Sequence, residues 1–141
     1  MESSIVLIDT DFAWEFLSGN AEAVEFMSLE KSEVHAVSSI TIAELIKGCG
    51  NKAKLFKLNK AVANFLTIHT DTEISILAID LVKNFHLSHN IGINDAFIAA
   101  TCLYYNIELA TCNTSDYHYL PNLILTQHNL KPKRKGWDFF L

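Results

Sequence analysis

Four consecutive aliphatic residues, Ile5-Val6-Leu7-Ile8, run straight into Asp9-Thr10-Asp11. A strand that is apolar at every position buries both faces, as happens at the centre of a parallel sheet covered by helices on both sides. The polar residues that follow are helix N-cap types, so the strand is expected to pass directly into a helix over 12–17, stopped at Ser18-Gly19-Asn20.

The rest of the chain repeats this alternation. Further strands are expected at 34–37, 67–69, 108–111 and 123–126. Helices are expected at 21–32, at 40–47 (capped by Ser38 or Ser39), at 52–66, from Thr70 or Asp71 to residue 89, and from Asn94 or Asp95 to residue 105. Val24, Phe26, Met27 and Leu29 should face inward on the second helix, and Ile74, Leu77, Ile79, Leu81, Val82 and Phe85 on the long one. Strands alternating with helices point to a right-handed parallel α/β sheet.

Composition bounds the rest. The 141 residues are 50% hydrophobic and 19% charged, which suits one domain over 1–141, with its core at about 5–126 and an irregular tail at 127–141. A chain this apolar is not globally disordered. Its longest uncharged apolar stretches, such as 96–107, fall short of the ~20 residues that cross a bilayer, and no basic leader precedes Ile5. Three cysteines, Cys49, Cys102 and Cys112, are odd in number and lie in apolar settings. A cytoplasmic location with buried thiols and no membrane is therefore expected. The net charge of −5 does not mark a general polyanion binder. Yet residues 47–60 carry five lysines and no acid, and Lys47 and Lys52 stand as candidate contacts for a nucleic-acid backbone.

The chemistry belongs at strand ends, where parallel sheets gather their sites. Asp9 follows the first strand, Glu44 lies in the helix after the second, Asp95 opens the helix before the fourth, and Asp116 follows the fourth. Asp9, Glu44 and Asp95 interrupt apolar runs, where an acid needs a partner, and Lys47 is the one base near them. Carboxylates ~5 Å apart repel by roughly 3 kcal/mol per pair at an effective dielectric near 20. A hard cation relieves that repulsion, and an all-oxygen donor set selects Mg²⁺ or Mn²⁺. Such an ion polarises phosphoryl oxygens and activates water, the usual machinery of phosphodiester hydrolysis.

Four strings carry a resemblance: Ile8-Asp9-Thr10-Asp11; Ser38 through Ala43-Glu44-Leu45 to Gly48; Ile93-Asn94-Asp95-Ala96-Phe97-Ile98-Ala99-Ala100; and Leu109-Ala110-Thr111-Cys112-Asn113-Thr114-Ser115-Asp116-Tyr117. In this order and spacing the chain resembles the PIN-domain nucleases, and within them the VapC-type toxins of bacterial toxin–antitoxin pairs. The resemblance implies a three-layer α/β/α sandwich with a five-stranded parallel sheet, and RNA cleavage dependent on Mg²⁺ or Mn²⁺. It assigns metal-binding and catalytic roles to Asp9, Glu44, Asp95 and Asp116, and supporting roles to Thr10 and Asn113. It also implies a homodimer and a small antitoxin protein that blocks the site. Cys112 stands where such toxins commonly carry Arg, and Asp11 replaces a frequent Asn or Ser.

Blander readings accompany each assignment. Asp9, Thr10, Asp11 and Asp95 suit helix capping alone, and Asp116 an Asx-turn. His86 and His89, three apart, suit either a borderline metal or a helix C-terminus. His118 suits a surface turn. Phe12 and Trp14 suit base stacking or the core. Lys131 to Lys135 suit a solubilising tail, whereas Trp137, Phe139 and Phe140 suit docking on the body, on a second subunit or on a partner. Two rival functions follow: a PIN-like module that binds RNA or protein without cutting, and a flavodoxin-like regulatory domain. The latter usually needs a lysine near its last strand, and none occurs between Lys83 and Lys131.

Overall fold

The computed structural model describes residues 4–29, 33–128 and 130; the readings placed on the tail beyond Leu130 lie outside the described residues. The chain runs β1 (Ser4–Ile8), α1 (Thr10–Leu17), α2 (Ala21–Leu29), β2 (Glu33–Ser38), α3 (Ser39–Lys47), α4 (Lys52–Val62), β3 (Leu66–Ile68), α5 (Thr72–His89), α6 (Ile93–Tyr105), β4 (Glu108–Ala110) and a 3₁₀ turn (Thr114–Asp116).

All pairings are parallel, in the order β3-β2-β1-β4. Leu7 of β1 is registered with Ala36 on one side and Leu109 on the other. Strand β1 is thus interior, and its period-two alternation is expressed in two cores. Leu7, Ala36 and Leu109 pack with α5 and α6; Val6, Ile8, Val37 and Ala110 pack with α1 to α4. This is a three-layer α/β/α sandwich. Burying Val6, Leu7 and Ile8, each at most 1% exposed, contributes about 1.5–3 kcal/mol per side chain.

The described sheet has four strands, not five. The segment expected as a fifth strand, 123–126, makes a single parallel bridge between Leu125 and Leu109. The Leu109 N–H donates to the Ile124 carbonyl at 2.9 Å, and the Thr126 N–H to the Leu109 carbonyl at 2.9 Å. Strand β4 is only three residues long, and the Ala110 carbonyl already accepts the Asp9 N–H at 2.8 Å on the inner side. Leu109 is therefore the one position that offers both backbone groups to an outer neighbour.

Other departures have local causes. Helix α4 ends at Val62, so β3 starts at Leu66, inside the span expected to be helical. On α5 the buried stripe is Ile74, Ala78 and Leu81, at i, i+4 and i+7; Ile79 falls beside it and is 52% exposed. On α2, Ala23 is buried and Val24 exposed. Cys102 is buried, whereas Cys49 and Cys112 are half-buried, and all three are free thiols.

The strand order fixes where a site can form. From β1 the chain winds outward through β2 to β3, then returns to place β4 on the other flank of β1. The reversal leaves a crevice at the carboxyl ends of β1 and β4, the position where ligands enter open α/β sheets.

Candidate active site

Asp9 sits at that crevice. It ends β1 and caps α1, its Oδ1 accepting the Thr10 N–H at 2.8 Å. Its other oxygen accepts the Thr111 hydroxyl at 2.8 Å, which ties the end of β1 to the end of β4. The carboxyl is buried and its pKa is pushed up to about 8. Burial is the main cause and the Asp11 charge the next; the hydrogen bonds from Thr111 and Thr10 oppose them, and the Asp95 charge adds to the rise. Desolvation beats two good hydrogen bonds here, since the charges that act on Asp9 among the described residues are themselves negative.

Asp11, two residues on, is also raised, chiefly by burial and further by Asp116. The Cys112 N–H reaches it at 3.3 Å and opposes the rise. Thr10, between the two acids, turns the other way. Its hydroxyl donates to Glu44 Oε1 at 2.8 Å and lies 2.9 Å from the Thr41 hydroxyl. Glu44 is half-buried on α3, which Ser38 caps by accepting the Ile40 N–H.

Asp95 comes from α6. The helix begins two residues before Asp95, with Gly92 as its cap and no side-chain cap bond, so Asp95 sits in the first turn rather than opening the helix. A carboxylate there is favoured by the free N–H groups of the helix start. Gly92 leaves it room: a Cβ on that residue would stand 3.2 Å from Asp95 Oδ2. The pKa of Asp95 is pushed up to about 6, first by burial and then by Asp116, Glu44 and Asp11, against a hydrogen bond from Tyr117. That bond is 3.0 Å long, from a hydroxyl on a ring only 1% exposed. Burial above all, then the Asp9 and Asp95 charges, holds the Tyr117 hydroxyl firmly protonated. Asp116 closes the set from the 3₁₀ turn, accepting Asn113 Nδ2 at 2.6 Å.

The structure therefore brings Asp9, Glu44, Asp95 and Asp116 to one edge, with Thr10 and Asn113 each holding a carboxylate oxygen. Of the two lysines, Lys47 lines a cavity of about 510 Å³ with Glu44 and Asn94; Lys52 is exposed at the start of α4 and is not part of that lining. Phe12 and Trp14 are core residues at 0% and 6% exposure, which removes them as stacking surfaces. Cys112 presents a thiol raised by burial and by Asp11, Glu15 and Asp9, so it supplies no positive charge. Three groups were missed from sequence: Thr111, Tyr117 and Thr41. The available signal was position, since Thr111 directly follows β4 and Tyr117 follows Asp116.

The charges acting most strongly on Asp9, Asp11 and Asp95 are other carboxylates. By donor type and charge the residues fit a hard divalent cation. Among the described residues no three His, Cys, Asp or Glu side chains are gathered closely enough to surround one ion; each acid accepts hydrogen bonds from neighbouring donors instead. The fit is thus one of chemistry and charge.

Comparison with known proteins places the chain in a family. The PIN domain family matches residues 6–119, and the chain belongs to that family. Ribonuclease VapC10 of Mycobacterium tuberculosis is 32% identical over 111 residues, covering 77% of this chain and 83% of the relative. Among solved structures, a toxin–antitoxin complex from Klebsiella pneumoniae superposes with a TM-score of 0.70 at 27% identity, covering 84% of this chain and 95% of that one. VapBC2 from Rickettsia felis, bound to a promoter DNA fragment, gives 0.76 at 22% identity over 86% and 97% of the two chains. The latter shows the fold alone.

Proposed function

We propose that the chain is a metal-dependent endoribonuclease and the toxin of a toxin–antitoxin pair. The observation that carries this reading is the group of mutually repelling carboxylates at the β1/β4 crevice, in a chain 32% identical to a ribonuclease. Asp9, Glu44, Asp95 and Asp116 would hold Mg²⁺ or Mn²⁺. Bound there, the ion would offset their charge and act as a Lewis acid toward a phosphodiester.

The chain's own residues do the rest. Thr10 aims Glu44, Tyr117 aims Asp95 and Asn113 aims Asp116, each by a hydrogen bond to one carboxylate oxygen. Such outer partners set ligand orientation and affinity. Asp9, with its pKa near 8, holds its proton at neutral pH until a cation takes its place. The cavity lined by Ile40, Ala43, Glu44 and Lys47 leads to Asn94, beside Asp95, and offers a path for a single RNA strand, with the Lys47 ammonium available to a phosphate.

The expected partners are RNA and a small antitoxin protein, in the cytoplasm where both occur. Among the described residues no helix is long and apolar enough to cross a membrane. A homodimer is supported by the apolar side chains that α5 leaves exposed, Ile76, Ile79 and Leu87. The test is cleavage of single-stranded RNA by the purified chain with Mn²⁺, with EDTA, and by Asp95→Asn. Cleavage lost in the last two supports the reading; cleavage that persists in both removes it.

A further inference from the structure

Beside the acids lies a group of rings that the proposed chemistry does not use. The His89 imidazole, last residue of α5, stacks on Tyr119 with ring centres 4.0 Å apart and planes within 9°. Phe85 supports both, 5.5 Å from Tyr119 and 6.0 Å from His89. The Ser88 hydroxyl lies 2.7 Å from His89 Nδ1 and fixes the ring's rotation. His89 is exposed, whereas Phe85 and Tyr119 are half-buried beneath it.

The stack flanks the carboxylates along the chain, with Tyr119 three residues after Asp116 and His89 six residues before Asp95. Burial and then the charges of Asp95 and Asp116 raise the Tyr119 hydroxyl. Between His89 and Asp95 the chain makes a tight turn, with Asn90 left-handed at φ 50°. Gly92, Ile93, Asn94 and Asp95 line an open cleft of about 380 Å³ there. Asn94 also lines the larger cavity on the α3 side. A strand lying along the two clefts would pass Asp95 and come to the turn that joins Gly92 to His89.

We infer that the His89–Tyr119 stack is a platform for one unpaired nucleobase next to the scissile phosphate, making His89 a substrate-positioning residue. This rests on the ribonuclease reading above. A flat ring already stacked on one side, beside a site that acts on phosphate, suits a base better than a protein side chain. Every base has a π-face, and stacking on aromatic rings tolerates sequence. The arrangement demands an unstacked base, so it selects single-stranded RNA over duplex. His118, exposed and 6.0 Å from Tyr119 by ring centre, extends the rim.

The experiment uses short single-stranded RNAs with 2-aminopurine at each position in turn, bound to the full chain carrying Asp95→Asn in the presence of Mn²⁺. One position should be strongly quenched. Adding His89→Ala should remove that quenching and weaken binding by about tenfold, and adding His89→Phe instead should restore both. In the cleaving chain, His89→Ala should raise KM by a similar factor with kcat within about twofold, as expected for lost uniform binding. The thermal midpoint of His89→Ala controls for folding. The platform is overturned if no position is quenched, if quenching survives His89→Ala, or if His89→Phe fails to restore it. Quenching in a chain that cuts no RNA with Asp95 intact would overturn the nuclease reading and leave the platform standing.

Discussion

Two regions of this molecule concentrate like charges, and they behave in opposite ways. Helix α4 carries Lys52, Lys54, Lys57 and Lys60 within nine positions, three of them exposed and Lys54 half-buried. Lys60 rests over the Phe56 ring, 4.6 Å from its centre. The crevice between β1 and β4 gathers Asp9, Asp11, Glu44, Asp95 and Asp116; burial raises Asp11 and pushes Asp9 and Asp95 well above ordinary carboxylates. Water and salt screen the lysines, so their number has little consequence. Asp9 and Asp11 sit where water is largely excluded, and Asp95 partly so, so these acids need a proton, a donor or a cation. Desolvation, not charge count, separates a site from a solvated surface.

The sharpest break of this contrast is at Asp95. Replacing it by Asn should lower metal-dependent RNA cleavage by more than about a hundredfold, beyond the 10–100-fold typical of outer partners. RNA cleavage rates with Mn²⁺ check it. Tyr117→Phe and Thr10→Val, which remove single hydrogen bonds to Asp95 and Glu44, should fall within about 10–100-fold, seen as a rightward shift of the Mn²⁺ activation curve.

Stability should also separate the two regions. In the unfolded chain Asp9 and Asp95 titrate near 3.9; folded, they do so at about 8 and about 6. The folded state then binds more protons than the unfolded one between those limits. Its stability is full below about pH 4 with respect to these groups and falls as pH rises toward 8. The unfolding free energy of the metal-free chain, read from denaturant titrations, should therefore fall from pH 5 to pH 8, and Asp9→Asn should flatten the slope. Lys52→Ala or Lys57→Ala should have the smallest effect, within about 0.5 kcal/mol. A loss of RNA cleavage in these lysine variants comparable to Tyr117→Phe would erase the contrast.

The sequence already held the feature that orders this molecule, since a four-residue apolar run ending in Asp9 allows little except an interior strand feeding a site. The acids at strand ends were legible for the same reason: a charged residue inside an apolar run demands an explanation that a surface charge does not. The fifth strand failed because the pattern at 123–126 reports apolarity, whereas pairing depends on how many outward-facing groups three-residue β4 presents. Thr111 and Tyr117 carried only a positional signal and the His89–Tyr119 stack none, because tertiary approach creates their contacts: Tyr117 meets Asp95 across 22 positions and Thr111 meets Asp9 across 102. Phe12 looked available beside Asp9 in sequence, but the helix that Asp9 caps turns that ring into the core.

The most direct measurement is calorimetric titration of the metal-free chain with Mn²⁺ at pH 7, repeated in buffers of different ionisation enthalpy to count released protons. With Asp9 near 8 and Asp95 near 6, binding should release close to one proton per chain, and Asp9→Asn should abolish that release. Binding that releases no proton, or no binding at all, would contradict a cation taking the place of the proton in the crevice.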